Sequence, residues 1–237
     1  MHLFRSPSLS VVAMNSLIAA CGRGERPDLA LDVLNGMQNK YGVRPDTRSY
    51  RNAAIALKKA QHDQLEVKGG LATYEWWECA LSLLRRMREE GMTPDVATYS
   101  ATISACEAAG EWQRALGVLQ AMMDDEGNLG DDESLLNLFC FNAAISACEK
   151  GWAWVEALEV YERMLDLGGV ISPNVVTLNS LLVALENAGQ KELAQTKYNE
   201  GRRLKIVNPW RYTRNSKGES VRAMVSNEGL AAWFRHG

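Results

Sequence analysis

Histidine is almost missing from this 237-residue chain: His2, His62 and His236 are the whole supply. They share no ligand spacing with one another, so neither a histidine metal centre nor a histidine-based catalytic set is expected. The five cysteines are Cys21, Cys79, Cys106, Cys140 and Cys148, and no two of them form a Cys-x-x-Cys pair. That pattern excludes a disulfide framework and reads as small thiols in a helix core in a reducing compartment. No stretch of about 18 uninterrupted apolar residues occurs, so no membrane-spanning segment is expected. The formal net charge is −3 and the isoelectric point about 5.7, which excludes a uniformly basic nucleic-acid coat but leaves local basic patches open. With 46% hydrophobic and 23% charged residues, there is enough apolar material for a large core.

What the chain does have is repetition. Ser-Ala-Cys-Glu stands at Ser104–Glu107 and again at Ser146–Glu149. Tyr99-Ser100-Ala101-Thr102-Ile103 before the first copy matches Phe141-Asn142-Ala143-Ala144-Ile145 before the second, and Trp112 and Trp154 follow at the same distance. A first landmark is an apolar pair four residues apart, as one helix face requires: Met14/Ile18, Tyr99/Ile103, Phe141/Ile145 and Leu178/Leu182. Twelve residues further on stand Ala30, Ala115, Ala157 and Ala194; seven beyond these come Met37, Met122, Met164 and, in the last unit, Gly201. One more unit keeps the pattern through Tyr50, Ile55, Ala80-Leu81 and Met87, with about 13 extra residues inside it. Self-similarity at this period means an array of one supersecondary unit.

Each unit reads as two antiparallel helices with a turn at Gly24, Gly110, Gly151 or Gly189. Small Ala and Ser residues on the first helix let the second approach, and helix B stops before Pro45, Pro94, Pro173 and Pro209. Five such pairs bury faces that one pair cannot, so the fold expected is an all-α superhelix. The boundaries are an N-terminal extension at 1–10, units at 11–46, 47–95, 96–137, 138–174 and 175–210, and a basic tail at 211–237. Two insertions interrupt the spacing: Lys58–Trp77 lengthens the turn of unit two, and Asp124–Leu136 reads as a solvated acidic loop. One of Trp76 and Trp77 is expected to pack at the start of its helix, like Trp112 and Trp154.

Val96-Ala-Thr-Tyr-Ser100 with Ala115-Leu116 and Met122, Val175-Val-Thr-Leu-Asn179, and the links Gly42-Val-Arg-Pro-Asp46 and Gly91-Met-Thr-Pro-Asp95 resemble the pentatricopeptide repeat family. The resemblance covers about Val11 to Trp210. The Trp-Leu-Gly-Tyr pattern of the tetratricopeptide repeats is absent. The resemblance implies a right-handed superhelical solenoid that binds single-stranded RNA, one base per repeat, with no cofactor and no DNA or membrane partner. In that family the base is specified by the residue after the helix-A aromatic together with the last residue of the repeat. Carried over, these are Asn15 with Asp46 for uracil, Ser100 with Asn137 for adenine, and Asn142 with Asn174 for a pyrimidine. In unit two Arg51 stands opposite Asp95, so an Arg51–Asp95 contact and no base reading are expected. Asn179 of unit five has no clear partner, and the word is U-n-A-Y-n. Three residues before each specifying position, Val12, Arg48, Ala97, Phe139 and Val176 would wedge between bases. Phe139 and Arg48 could stack on a base face, or Phe139 could equally be an interhelix core residue.

Between Gly201 and Arg222 stand seven basic residues and one acid. Arg202, Arg203, Lys205, Arg211 and Arg214 are thus candidate phosphate contacts, with a solvated tail as the alternative. Val221–His236 reads as a short helix capping the array. The zinc deaminase pattern, an acidic nuclease cluster and an Asp-Leu-His-Gly motif are all absent, so catalysis is not expected. The resemblance implies a mitochondrial or chloroplast RNA-processing, stability or translation role, with a cytoplasmic setting otherwise. MHLFRSPSLS resembles the start of a transit peptide only faintly. The second function class is a helical scaffold with a protein partner in its groove.

Overall fold

The computed structural model describes residues 10–66, 76–126, 136–206, 210–214 and 220–224. Its ten α-helices form five antiparallel pairs: α1 (Val11–Arg23) with α2 (Pro27–Tyr41), α3 (Thr47–Glu66) with α4 (Trp76–Glu89), α5 (Val96–Ala109) with α6 (Trp112–Glu126), α7 (Leu138–Lys150) with α8 (Trp154–Leu167), and α9 (Val175–Asn187) with α10 (Lys191–Arg203). A single 3₁₀ turn, Gly169–Ile171, follows α8. Each odd-numbered helix packs on the next odd-numbered helix; each even-numbered helix packs on its own partner and on the helix that opens the next pair. The even-numbered backbones do not meet one another. A row in close contact beside a row that splays is the inside of a curve, so α1, α3, α5, α7 and α9 line the concave side of a solenoid.

The landmarks of the sequence are the core. Met14, Ile18, Tyr50, Tyr99, Ile103, Phe141, Ile145, Leu178 and Leu182 are buried, as are Ala30, Ala80, Ala115, Ala157, Ala194 and the four methionines Met37, Met87, Met122 and Met164. At Gly201, which takes the methionine place in the last pair, the side chain of Leu178 occupies the space a Cβ would need. Trp76 is buried and Trp77 half-buried, so both pack at the start of α4. Cys106, Cys140 and Cys148 are buried and Cys21 and Cys79 half-buried, all as free thiols. Burial pushes the Cys106 and Cys148 thiols up to about 12.

The splayed row is bridged by polar side chains instead of backbone packing. Arg86 of α4 donates to Asn35 of α2 (2.7 Å) and pairs with Glu90 (3.0 Å), which also accepts the Tyr50 hydroxyl (2.7 Å). Arg88 of α4 pairs with Asp125 of α6 (2.9 Å), which also accepts the Tyr99 hydroxyl. Arg163 of α8 donates to Gln120 of α6 (3.3 Å), and Lys197 of α10 pairs with Glu162 of α8.

Three expectations need correction. Ile55 is 46% exposed; Ala54, four residues after Tyr50, takes the buried place, because burial on both sides of α3 selects the exact turn. Lys58–Glu66 continues α3 as helix instead of lengthening a turn, and Asp124–Glu126 completes α6; the remainder of the two insertions, 67–75 and 127–135, lies outside the described residues. The turns stand where expected, at Gly24, Gly110, Gly151 and Gly189. Gly110 and Gly189 have φ of 76° and 74°, but in pairs one and four Glu25 (57°) and Trp152 (60°) take that conformation, one residue after Gly24 and Gly151. Past the array, Trp210–Arg214 and Ser220–Met224 pair as an antiparallel ribbon, β1 and β2, with Tyr212 opposite Arg222. The first residues of the expected capping helix, Val221–Met224, are therefore strand, and the rest of it lies outside the described residues.

Candidate nucleic-acid interface

The residue that closes each unit is the N-cap of the next concave helix. Asp46 accepts the Ser49 N–H at 2.9 Å, Asp95 the Thr98 N–H at 2.9 Å, Asn137 the Phe139 N–H at 2.7 Å and Asn174 the Thr177 N–H at 3.0 Å. An unpaired N–H at a helix start needs such a short acceptor, so capping by itself accounts for Asp or Asn at these places and stabilises each helix by about 1 kcal/mol. The cap also fixes where the carboxylate or carboxamide stands relative to the preceding concave helix.

Between the first two pairs that position completes a closed node. Asn15 is 7% exposed; its Nδ2 donates to Asp46 Oδ1 at 2.9 Å and its Oδ1 accepts the Ser49 hydroxyl at 2.6 Å. These bonds and the capping bond hold the Asp46 carboxylate below the usual range against the opposing effect of burial. Between pairs four and five the hydroxyl half of this arrangement recurs, without a direct bond between the two carboxamides. The Thr177 hydroxyl donates to Asn142 Oδ1 at 2.5 Å and is within 3.0 Å of Asn174 Oδ1, so Asn142 and Asn174 are joined through Thr177. Between pairs two and three, Arg51 Nη1 stands 3.0 Å from Asp95 Oδ2, the ion pair expected there, while the Thr98 hydroxyl donates to Asp95 Oδ1 at 2.7 Å.

Among the described residues no hydrogen bond joins Ser100 to Asn137. Asn137 is turned onto its capping bond, and burial pushes the Cys140 thiol at the third place of α7 up to about 11. Asn179 is exposed at the matching place on α9; residues 207–209, where its partner would lie, are outside the described residues.

One turn before these positions, Val12 (66%), Val176 (58%) and Phe139 (47%) are exposed, as is Arg48, whereas Ala97 is half-buried. Val12, Phe139 and Val176 share one helix face with the polar nodes. Phe139 is thus not an interhelix core residue; its ring lies under the Lys58 ammonium, 4.7 Å from the centroid. Arg202, Arg203 and Lys205 are exposed at the end of α10; for Arg211 and Arg214 the backbone is placed on β1.

Sequence reasoning missed Ser49, Thr98, Cys140 and Thr177, the third residue of each of these concave helices. The signal was present as Asp/Asn-x-x-Ser/Thr at Asp46–Ser49, Asp95–Thr98 and Asn174–Thr177, the spacing of a reciprocal capping box. Among the described residues no group of three or more His, Cys, Asp or Glu side chains could hold a metal ion.

A solenoid of helix pairs with capped polar nodes along its inner row is the architecture of an α-helical repeat protein. The chain belongs to the pentatricopeptide repeat family: it matches the pentatricopeptide repeat domain over residues 79–126 and the PPR repeat over 12–41 and 139–169. A chloroplastic pentatricopeptide repeat-containing protein of Arabidopsis thaliana is 27% identical over 131 residues, half of this chain and 12% of that protein. The fold is shared with the A. thaliana nuclear protein-only RNase P 2 (TM-score 0.71, 15% identity, 95% of this chain and 42% of that one). It is shared also with the PPR domain of A. thaliana protein-only RNase P 1, solved in complex with tRNA (TM-score 0.65, 12% identity, 95% and 98%). The chain thus spans about an eighth of its curated relative and under half of the RNase P 2 chain.

Proposed function

We propose that this chain binds single-stranded RNA along its concave row, each competent repeat reading one base. The observation that carries this reading is the recurrence of one node, Asn15 with Asp46 and Asn142 with Asn174, each beside an exposed apolar side chain one turn away. A carboxamide and its neighbour at a fixed spacing suit the edge of a base, and Val12, Phe139 and Val176 suit the gap between successive bases. The complex of the related PPR domain with tRNA supports an RNA ligand. Arg48, Arg202, Arg203, Lys205, Arg211 and Arg214 supply charge for phosphates. The word read is U-n-A-Y-n: the Arg51–Asp95 pair leaves the second base unread, and Ser100 with Asn137 specifies the third. The setting is organellar RNA processing, stability or translation, supported by the chloroplastic relative.

The test is Asn142→Ser. It is expected to move preference at the fourth base alone from pyrimidine toward adenine, with the other positions unchanged. A uniform loss across all sequences contradicts the pairing.

A further inference from the structure

From the capping geometry we infer that the hydroxyls of Ser49 and Thr177 set base specificity by locking the neighbouring asparagine amides with their oxygens inward. This deepens the RNA reading above and rests on it. Both hydroxyls are fully buried. Each accepts an N–H from the backbone of the capping residue: Asp46 N–H to Ser49 Oγ at 3.1 Å, and Asn174 N–H to Thr177 Oγ1 at 3.0 Å. A hydroxyl has one proton, and with an acceptor site already filled that proton is what it offers its next neighbour. The nearest acceptors are Asn15 Oδ1 at 2.6 Å and Asn142 Oδ1 at 2.5 Å, shorter than the 3.0 Å to Asp46 Oδ1 or Asn174 Oδ1. Flipping the amide would exchange this short bond for the hydroxyl's 3.0 Å bond to the capping oxygen, and at Asn15 would also set the amide oxygen against the Asp46 carboxylate, so the oxygen-inward orientation is favoured.

The consequence is chemical. Asn142 presents only its Nδ2 protons, which have no partner among the described residues, and Asn15 presents the one Nδ2 proton not given to Asp46. A donor-only amide matches a keto oxygen, and O2 is common to both pyrimidines, whereas it meets the exocyclic amine of adenine donor to donor. The lock is absent where the third helical residue lacks a free hydroxyl partner. At pair two Arg51 takes Asp95, and at pair three the third helical residue is Cys140, whose thiol is a weaker donor than a hydroxyl. Ser49 and Thr177 are thus positioning residues that confer specificity without touching the base.

The experiment compares the full chain with Thr177→Val and Thr177→Ser, using short single-stranded RNAs that differ only at the fourth base, with thermal unfolding in parallel. Valine keeps the volume and removes the hydroxyl, so the amide is free to flip. Pyrimidine-over-adenine preference at that base is expected to fall about fivefold or more, with the adenine-containing RNA held no less tightly. Serine is expected to restore the preference. Unchanged selectivity in Thr177→Val, or equal weakening toward all RNAs that serine does not rescue, overturns the lock while leaving RNA binding intact. If the unsubstituted chain binds none of the RNAs, the RNA reading fails and the lock fails with it.

Discussion

Arg51 and Asp95 hold, in the second unit, the places that Asn15 and Asp46 hold in the first, and a 3.0 Å ion pair replaces the amide–carboxylate bond. Both side chains are about one-third exposed, so the pair contributes at most about 1 kcal/mol to stability. Its effect is on recognition: a guanidinium fills the site where a short amide would face a base.

Arg51→Asn therefore converts a blocked node into the first-unit type. Selection from random RNA is expected to show a new uracil preference at the second base, with thermal stability changed by less than about 1 kcal/mol. Persistent indifference at that base would show that the Asp95 node cannot be opened by this substitution.

Two glycines should respond oppositely to alanine. At Gly151 a Cβ would run into the Trp112 indole of the preceding pair, so Gly151→Ala is expected to cost about 1–3 kcal/mol in denaturant unfolding. Gly117 lies inside α6 with nothing near its virtual Cβ, and Gly117→Ala is expected to stabilise by about 0.5–1 kcal/mol. The same sign at both positions would contradict the packing described.

Glu149 gives a pH signature. Burial raises its pKa above the ordinary glutamate range; Glu107 adds to the rise, while Ser180 and Lys150 oppose it. A carboxyl with a raised folded pKa binds its proton more tightly in the native state, so its contribution is greatest at low pH. It is lost as pH rises through the ordinary glutamate range to the folded value just above it. Glu149→Gln is expected to flatten the fall in thermal midpoint across that window and to raise the midpoint at neutral pH. An unchanged pH profile would refute the assignment.

The fold was legible because packing repeats leave repeated residues. Tyr99/Ile103 and Phe141/Ile145 state one buried face twice, and Met37, Met122 and Met164 mark the same layer. Ile55 misled because two apolar residues, Ala54 and Ile55, follow Tyr50 at adjacent spacings, and only the neighbouring helices decide which is covered. The candidate site was half legible. Asn15 with Asp46 and Asn142 with Asn174 follow from the family resemblance laid on the register, but the Ser49 and Thr177 bonds join residues 34 and 35 positions apart and depend on helix caps that neither reveals. Ser100 and Asn137 share the register without a hydrogen bond between them, because the Asn137 carboxamide oxygen is used to cap the Phe139 N–H.

The most direct test of the account is binding of the purified chain to a pool of short single-stranded RNAs over a salt series. It predicts micromolar or tighter binding at low salt, a steep loss of affinity as salt rises, and enrichment of U-n-A-Y in the retained fraction. No retention at low salt, or retention with a protein partner but no RNA, would contradict it.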